Sequence, residues 1–144
     1  MRISKKKIIF TNGCFDILHV GHVRYLKKAR SLGDWLIVGV NSDSSVRKLK
    51  GPGRPVNSEK ERMEVLAALK AVDEVRLFSE PTPENLIRKI RPDILVKGGD
   101  WKIKDIVGAK EVLDWGGKVK RISFIKGRSS TRVINRLAEI AAKL

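Results

Sequence analysis

The sequence predicts an α/β fold built on a doubly wound, five-stranded parallel sheet. Short apolar runs rich in Ile and Val alternate along the chain with segments of helical period. Gly, Pro, Ser or Asp stands at nearly every junction between the two kinds of segment. This alternation is typical of repeated strand-helix-strand units, and the continuous apolar character of the runs suits strands that are covered on both faces.

Five apolar runs are predicted to be strands. They cover residues 7–11 (KIIFT), 35–40 (WLIVGV), 74–78 (EVRLF), 94–97 (ILVK) and 118–124 (KVKRISF). Sheets of this kind bind ligands beyond the carboxyl ends of their strands. The functional site is therefore expected in the loops that follow these runs.

The segments between the strands are predicted to be helices. Ser58 and Glu61 form a capping box at the start of one helix, and Gly33 stops another. Pro83 stands at the first turn of a third helix, which Pro92 closes. The predicted helices are residues 21–32, residues 59–71, the segment from Thr82 to Pro92, residues 106–115 and residues 130–144.

The length and composition fit a single domain, residues 1–144. A chain of 144 residues with 42% hydrophobic content has the size of one ordinary globular domain. It contains no run of about 18 apolar residues, and its N-terminus lacks a signal-peptide pattern, so a cytoplasmic location without a membrane partner is expected. One cysteine, Cys14, beside two histidines makes neither a disulfide framework nor an ordinary zinc site, so no protein-held metal is expected.

The charge balance predicts anionic partners. Lys and Arg number 31 against 16 Asp and Glu, a formal net charge of +15. Nucleic acid, acidic lipid and phosphorylated metabolites are the candidates. The basic residues are scattered without interleaved aromatic residues, which argues against a nucleic-acid partner. A solvated, charged surface accounts equally well for most of them.

The loop after the first predicted strand carries the strongest chemical signal. It holds both histidines, His19 and His22, whose spacing of three places them on one face of a helix that begins near Val20. There they would stand beside unpaired N–H groups and could donate hydrogen bonds to a triphosphate. Two partly buried histidines without a common role are the alternative, which the rarity of H-x-G-H disfavours. The nucleotide-binding residues predicted in this loop are Thr11, Asn12, Gly13, Cys14, Phe15, Asp16 and Gly21.

A second candidate loop follows the last predicted strand. It consists of Gly127, Arg128, Ser129, Ser130 and Thr131, immediately before the last predicted helix. The hydroxyl groups could simply cap that helix. Together with the glycine and the arginine, however, they supply the N–H groups, hydroxyl donors and guanidinium that hold the β- and γ-phosphates of a nucleotide.

A third loop, the sequence Val-Lys-Gly-Gly-Asp-Trp, follows the fourth predicted strand. Its Gly-Gly-Asp is compatible with an ordinary turn. At a strand's carboxyl end, Asp100 can instead accept hydrogen bonds from ribose or sugar hydroxyls, and Lys97 can meet a phosphate. Lys97, Gly98 and Asp100 are therefore predicted to bind nucleotide, while Trp101 either stacks on a ligand or packs against the protein.

A basic loop between the second and third predicted strands is a candidate for the second substrate. Lys50 and Arg54 lie in the proline-stiffened segment KGPGRPV, and Arg62 lies on the helix behind it. These three residues are predicted to bind a second phosphate group. Solvated loop charges are an equally weighted alternative.

The motifs TNGCFDILHVGHVRYL and GRSST resemble the cytidylyltransferase-like nucleotidyltransferase superfamily over essentially the whole chain. Within it, the segments GPGRPVN, RMEVLAALKAVDEV, TPENL, VKGGDW and GGKV resemble the heptose 1-phosphate adenylyltransferases. Glycerol-3-phosphate cytidylyltransferases are also similar but usually carry Asp where Gly99 stands, which weakens a cytidylyl interpretation.

The resemblance implies a Rossmann-like nucleotidyltransferase fold and a specific reaction. AMP would pass from ATP to D-glycero-β-D-manno-heptose 1-phosphate, giving pyrophosphate and the ADP-heptose used for lipopolysaccharide cores. It implies Mg²⁺ bound to the nucleotide, His19 and His22 at the triphosphate, and Arg128 at the departing pyrophosphate. In many bacteria this enzyme is fused to a sugar kinase, so a separate kinase is expected to act upstream. A homodimer is also expected for a small domain of this kind.

Two alternatives remain open at this point. Within the same fold, the acceptor could be another phosphorylated compound, such as glycerol 3-phosphate, FMN or pantetheine phosphate. In a different class, the chain could be a non-catalytic protein that binds nucleotides or nucleic acid. Pyrophosphate release with a panel of substrates separates all of these.

Overall fold

Five parallel strands form the sheet in the part of the chain that the structure describes. The structure is a computed structural model, and it describes residues 5–123 and 129–144. The spatial order of the strands is β3-β2-β1-β4-β5, and every neighbouring pair is parallel. The predicted doubly wound α/β fold is therefore confirmed. The strands are β1 (Ile8–Gly13), β2 (Trp35–Asn41), β3 (Glu74–Phe78), β4 (Ile94–Gly98) and β5 (Lys118–Ile122).

The central strand β1 marks the point at which the strand order reverses. It pairs with β2 on one side and with β4 on the other. The connections that leave these strands therefore run in opposite directions and open a crevice beyond the carboxyl end of β1. The loop that carries both histidines begins at this crevice.

Six helices accompany the sheet among the described residues. One of them, α2, was not predicted, and the five predicted helices are all shorter than their predicted ranges. The third helix ends at Ala67 rather than residue 71, and the fifth begins at Ala109 because Gly108 interrupts the backbone with a left-handed φ of 87°. The helices are α1 (Val20–Arg30), α2 (Asp43–Lys50), α3 (Glu59–Ala67), α4 (Glu84–Ile90), α5 (Ala109–Asp114) and α6 (Ser130–Ala142), with a short 3-10 turn at Ile103–Asp105.

Two apolar clusters cover the two faces of the sheet. Successive residues of β1 point to opposite faces, so Ile9 belongs to one cluster and Phe10 to the other, and both are fully buried. Leu26 of α1 and Leu66 of α3 pack in the first cluster. Ile87 of α4 packs in the second, together with residues of α5. Burial on both faces explains why the strands are continuous apolar runs.

Three aspartates form the same kind of hydrogen-bonded pair at the amino ends of the strands. Asp34, Asp73 and Asp93 each stand one residue before a strand. Their carboxylates accept the backbone N–H groups of Lys7, Leu36 and Ile8 respectively, each at 2.8 Å. Each aspartate's own N–H donates back to the carbonyl of the same partner. The reciprocal pairs satisfy strand-end groups that would otherwise lack partners, and they fix the register of the central strands.

The last helix differs from the others in its surroundings. None of the residues of α6 is buried, and Leu137 and Ile140 are exposed. Its first residue is attached to the rest of the protein, because the Ser130 hydroxyl donates to the Ile17 carbonyl at 2.7 Å. Within residues 5–123 and 129–144, no helix combines the length and the apolar content required to cross a bilayer.

Candidate active site

The two histidines form the amino-terminal cap of α1. His19 is the N-cap residue, and its Nδ1 accepts the N–H of Gly21 at 3.1 Å. In return, Nδ1 of His22 accepts the backbone N–H of His19 at 3.2 Å. The arrangement is a capping box in which imidazoles replace the usual hydroxyl and carboxylate. The two rings lie 3.9 Å apart between centroids. The spacing of three residues between His19 and His22, which suggested a shared anion site, thus also allows the two side chains to cap the helix.

This cap determines which nitrogen of each ring faces away from the helix as a donor. A neutral imidazole carries one proton, and a nitrogen that accepts a hydrogen bond cannot carry it. Because both Nδ1 atoms accept, the protons of neutral His19 and His22 lie on Nε2. Burial, with a contribution from His19, lowers the pKa of His22 to about 4. His22 is therefore a neutral hydrogen-bond donor at physiological pH.

A large cavity joins the histidine loop to the start of α6. Its volume is about 1200 Å³, and it lies beyond the carboxyl end of β1. Ser130 holds the two walls together, since its hydroxyl both donates to the Ile17 carbonyl and accepts the Ile17 N–H at 3.3 Å. The predicted site residues that line this first cavity are Cys14, Phe15, Asp16, His19, Gly21, His22, Lys50, Arg54, Ser129, Ser130 and Thr131. Gly127 and Arg128 were predicted in the same site and lie outside the described residues.

A second cavity, of about 410 Å³, is lined in part by the loop that follows β1. Cys14 lines both cavities. Predicted residues Asn12, Gly13 and Lys97 line the second, together with Asn41 and Trp101. Lys97 lies with Nζ 5.5 Å from the centroid of the Trp101 ring, and burial lowers its pKa, an effect that Cys14 partly opposes. The structure therefore separates Lys97 from the histidines with which it was grouped.

Asp16 anchors a loop. It is 3% exposed, and its carboxylate accepts the N–H groups of Val56 and Asn57 and the Nε of Arg54. Burial alone would raise its pKa, but the hydrogen bonds from Asn57, Val56 and Arg54 outweigh that effect and lower it. The ionised carboxylate thus ties residues 54–57 to the histidine loop. Although Asp16 lines the first cavity, this carboxylate serves the protein's own donors.

Arg62, which was predicted to bind a second phosphate, is hydrogen-bonded to acceptors within the protein. Its side chain is fully buried, and its guanidinium donates to the carbonyls of Cys14 and Asn57 at 2.7 and 3.0 Å and to the Asp43 carboxylate at 2.9 Å. These three partners belong to the histidine loop, the α2–α3 loop and the start of α2. Arg62 therefore positions the loops that surround the first cavity.

Three further predicted residues lie outside both cavities. Thr11 is fully buried, and its hydroxyl is 2.8 Å from that of Tyr25. Gly98 is buried at the end of β4, in register with Ile122. Asp100 is exposed beyond it. Thr11 and Gly98 thus contribute to the walls behind the site.

Comparison with known proteins places the chain in a family. The family model described as Cytidylyltransferase-like matches residues 10–136. This protein belongs to the cytidylyltransferase-like family. The expectation drawn from its two terminal motifs is confirmed.

Relatives of this cytidylyltransferase-like chain include much longer proteins. The bifunctional protein HldE of Syntrophotalea carbinolica is 55% identical over 134 residues, which cover 93% of this chain and 27% of the relative. The protein of the same name from Pseudomonas putida is 56% identical over 136 residues, 94% of this chain and 29% of the relative. The chain thus spans less than a third of the length of these relatives.

A solved structure of similar size shares the fold. The lipopolysaccharide core biosynthesis protein from Thermoplasma volcanium superposes with a TM-score of 0.68 at 31% identity. The match covers 86% of this chain and 100% of that protein. The Rossmann-like nucleotidyltransferase fold predicted for the chain is confirmed by this similarity together with the parallel sheet.

The cytidylyltransferase-like site also contains residues that the sequence analysis did not select. Tyr25 lines the first cavity one turn beyond His22, and four residues of α6 line its outer part. Their spacing of three and four residues places them on one face of that helix, directly behind the serine turn. This periodicity is the signal that could have revealed them. The four are Arg132, Asn135, Arg136 and Glu139.

Nucleotidyltransferases of this family generally use a nucleotide together with a divalent metal. Residues 5–123 and 129–144 contain no group of three or more His, Cys, Asp or Glu side chains placed to hold a cation. Mg²⁺ is commonly bound through substrate phosphates and water, with few protein carboxylates. The cytidylyltransferase-like cavity, rich in N–H donors, suits a triphosphate that carries such an ion.

Proposed function

We propose that this chain transfers AMP from ATP to D-glycero-β-D-manno-heptose 1-phosphate, producing ADP-heptose and pyrophosphate. The observation that carries the proposal is the meeting of two cavities at Cys14, one lined by the histidine pair and the other by Lys97. Two phosphate substrates, one in each cavity, could thereby meet beside Cys14. The family and its relatives named HldE support the nucleotidyl transfer. The named role of the Thermoplasma protein in lipopolysaccharide core biosynthesis supports the sugar.

In this proposal the nucleotide occupies the first cavity. His19 and His22 donate through Nε2 to phosphate oxygens, and the hydroxyls of Ser129 and Thr131 add further donors. Lys50 contributes a positive charge. Imidazole donors held by backbone hydrogen bonds need little reorganisation when charge moves toward the leaving group, which is how preorganised donors stabilise a transition state. Arg128 remains proposed at the pyrophosphate.

The sugar phosphate occupies the second cavity in the same proposal. Lys97 meets its phosphate, and Asn12 and Asn41 offer amide groups to its hydroxyls. Trp101, which is 49% exposed, offers an aromatic face to the ring. This arrangement replaces the predicted acceptor contacts of Lys50, Arg54 and Arg62, since Lys50 and Arg54 line the first cavity and Arg62 is buried.

The proposed chemistry is one in-line displacement. An anionic oxygen of the acceptor phosphate forms a bond to the α-phosphorus, the bond from that phosphorus to the bridging oxygen breaks, and pyrophosphate leaves with the electron pair. The attacking oxygen is already ionised near neutral pH, so no general base is required. The protein's contribution is alignment of the two anions and reduction of their repulsion. Mg²⁺ on the triphosphate would shield further charge.

The test is a substrate matrix with pyrophosphate release as the readout. Each nucleoside triphosphate is combined with heptose 1-phosphate, glucose 1-phosphate, glycerol 3-phosphate, FMN and pantetheine phosphate. We expect ATP with heptose 1-phosphate to give the highest kcat/KM. The variant His19→Asn in parallel controls for contaminating activity. A higher kcat/KM for another pair would assign a different acceptor, and tight, salt-sensitive duplex binding without pyrophosphate release would indicate a nucleic-acid binder.

A further inference from the structure

Arg54 lies at the wall of the first cavity with part of its guanidinium unused. Its side chain is 13% exposed, and its Nε donates to the Asp16 carboxylate at 3.2 Å. Its Nη2 is buried and has no hydrogen-bond partner among residues 5–123 and 129–144. A buried, charged donor without an acceptor is costly in a folded protein. The position is therefore explained best by a ligand that supplies the acceptor.

The loop that carries Arg54 is held in place by several independent contacts. The N–H of Val56 donates to both oxygens of the Asp16 carboxylate at 3.0 and 2.9 Å, and the N–H of Asn57 donates to one of them at 2.9 Å. The Asn57 side chain donates to the Asp16 carbonyl at 2.8 Å. Arg62 then holds the Asn57 carbonyl. Arg54 is consequently fixed relative to the histidine loop before any ligand arrives.

The chemistry of this position favours an oxyanion with several equivalent oxygens. Asp16 already balances the positive charge of Arg54, so Arg54 contributes directed N–H donors more than net charge. Lys50, which lines the same cavity, adds a positive charge. Guanidinium groups match the geometry of phosphate oxygens better than a lysine ammonium does. Phosphate is therefore the ligand class that this corner of the cavity fits.

Two phosphate sources are present in the proposed reaction, and the cavities distinguish them. Arg54 lines the first cavity with His19 and His22, whereas the second cavity contains Lys97 and not Arg54. Cys14, at the junction, marks where the α-phosphorus would react. We propose that Arg54, positioned by Asp16, binds the nucleotide's phosphates beyond the α-phosphate and so holds the pyrophosphate leaving group. This inference rests on the proposed function and adds a leaving-group residue to it.

The test is calorimetric binding of four ligands to the purified protein and to Arg54→Met. We expect ATP and inorganic pyrophosphate to bind about tenfold to hundredfold more weakly to the variant, the range for loss of a hydrogen bond to a charged group. AMP and heptose 1-phosphate should bind within about twofold of the unsubstituted protein. Arg88→Met is the matched control, because Arg88 is 56% exposed on α4 and lines neither cavity. It should leave all four affinities unchanged.

The outcomes separate this inference from its alternatives. Weaker binding of heptose 1-phosphate with unchanged pyrophosphate affinity would assign Arg54 to the acceptor and overturn the proposal. Equal losses for AMP and ATP would also overturn it, because they would indicate a general change in the cavity. Arg54→Lys, which retains charge but not the planar fork, should lie between Arg54→Met and the unsubstituted protein, with an unchanged Tm. Pyrophosphate affinity is measured without turnover, so this result stands even if the substrate matrix shows a different acceptor.

Asp16→Asn tests the positioning role of the carboxylate. It retains one oxygen acceptor for the loop but removes the charge that orients Arg54. In a double-mutant cycle on pyrophosphate affinity, the effects of Asp16→Asn and Arg54→Met should be less than additive. Strictly additive effects would show that the two residues act separately and would refute the positioning role.

Discussion

The amino edge of the parallel sheet, at which the strands begin, and its carboxyl edge, at which they end, use their polar groups in opposite ways. At the amino edge, Asp34, Asp73 and Asp93 satisfy strand N–H groups with their carboxylates, and each pair is closed within the protein. At the carboxyl edge, the histidine cap satisfies the helix end through Nδ1, and both rings line the first cavity. One edge is complete by itself. In the proposed function, the other is completed by the phosphates of the nucleotide.

This difference explains where acidic and basic groups are found. The carboxylates at the amino edge need nothing from solvent or ligand, so their substitution should change stability and not chemistry. Asp16, a buried carboxylate beside the first cavity, is likewise occupied by protein donors. Under the proposed function, the donors and positive charges of the cavity can therefore bind phosphate without competition from the Asp16 carboxylate. Substitutions at the two edges can test this division.

The largest effect is expected for His19→Asn. Asparagine is a good N-cap residue and keeps an acceptor near the position of Nδ1, but it lacks the Nε2 donor. We expect kcat to fall by about a hundredfold or more, the scale of losing one preorganised transition-state donor. The Tm should change little, because the cap is preserved. His22→Ala should lower kcat similarly and, in addition, lose half of the capping box.

Unchanged turnover in the histidine variants would contradict the proposed difference between the two edges. Turnover by His19→Asn within a few fold of the unsubstituted enzyme would show that the histidines serve only as a cap. The carboxyl edge would then resemble the amino edge, with groups that act on structure alone. Measurement of kcat and Tm on the same preparations distinguishes the two cases.

The next effect is expected for Lys97→Met. Because Lys97 lines the second cavity, the variant should raise the KM for the sugar phosphate by about tenfold to hundredfold, as loss of a charged hydrogen bond predicts. The KM for ATP should stay within about twofold. Lys110→Met, an exposed lysine on α5, is the matched control and should change neither value. A rise in the KM for ATP alone would indicate that Lys97 binds the nucleotide, as the sequence analysis predicted.

Asp93→Ala tests the amino edge. The variant removes the carboxylate that accepts the Ile8 N–H, so we expect about 2 kcal/mol of lost stability and a Tm lower by roughly 6–8 °C. The kcat of the folded enzyme should be unchanged. Asp93→Asn, which keeps an oxygen acceptor, should lose less. Asp114→Ala, an exposed aspartate on α5, serves as the control for removal of a carboxylate.

A fall in kcat for Asp93→Ala at a temperature where the protein stays folded would contradict this separation of roles. It would show that changes at the amino edge reach the cavities through the strands. Thermal unfolding and initial rates at low temperature supply the two measurements.

The fold was predictable because its strands are buried on both faces and read as unbroken apolar runs. All five predicted strands are present among the described residues, with ends shifted by one or two positions. The helix α2 was missed because it is short and only two of its eight residues, Val46 and Leu49, are apolar. The aspartates before β2, β3 and β4 were visible as GDW, VDE and PDI, but their reciprocal bonds depend on strand neighbours that sequence order does not reveal.

The location of the candidate site was predictable from the sequence, but its separation into two cavities was not. The switch-point rule placed the histidine loop at one edge of the sheet, and the structure brings it together with Ser129 and Ser130. The sequence could not show that Arg54 lines the first cavity, that Lys97 lines the second, and that Arg62 lines neither of them. Arg62 could not be placed from sequence, because its three partners come from positions 14, 43 and 57 and converge only after folding.

The smallest expected effect concerns the pH dependence of stability. Unfolding returns His22 to its ordinary pKa of 6.5, whereas burial keeps the folded value near 4. The unfolded chain therefore binds more protons between these values, and stability is complete above about pH 6.5 and falls as the pH decreases toward 4. At pH 5.5 the loss should be about 1 kcal/mol after allowance for solvent screening, or roughly 3 °C in Tm. His22→Gln should flatten this part of the profile, and an equally steep decline in the variant would show that other groups carry the acid sensitivity.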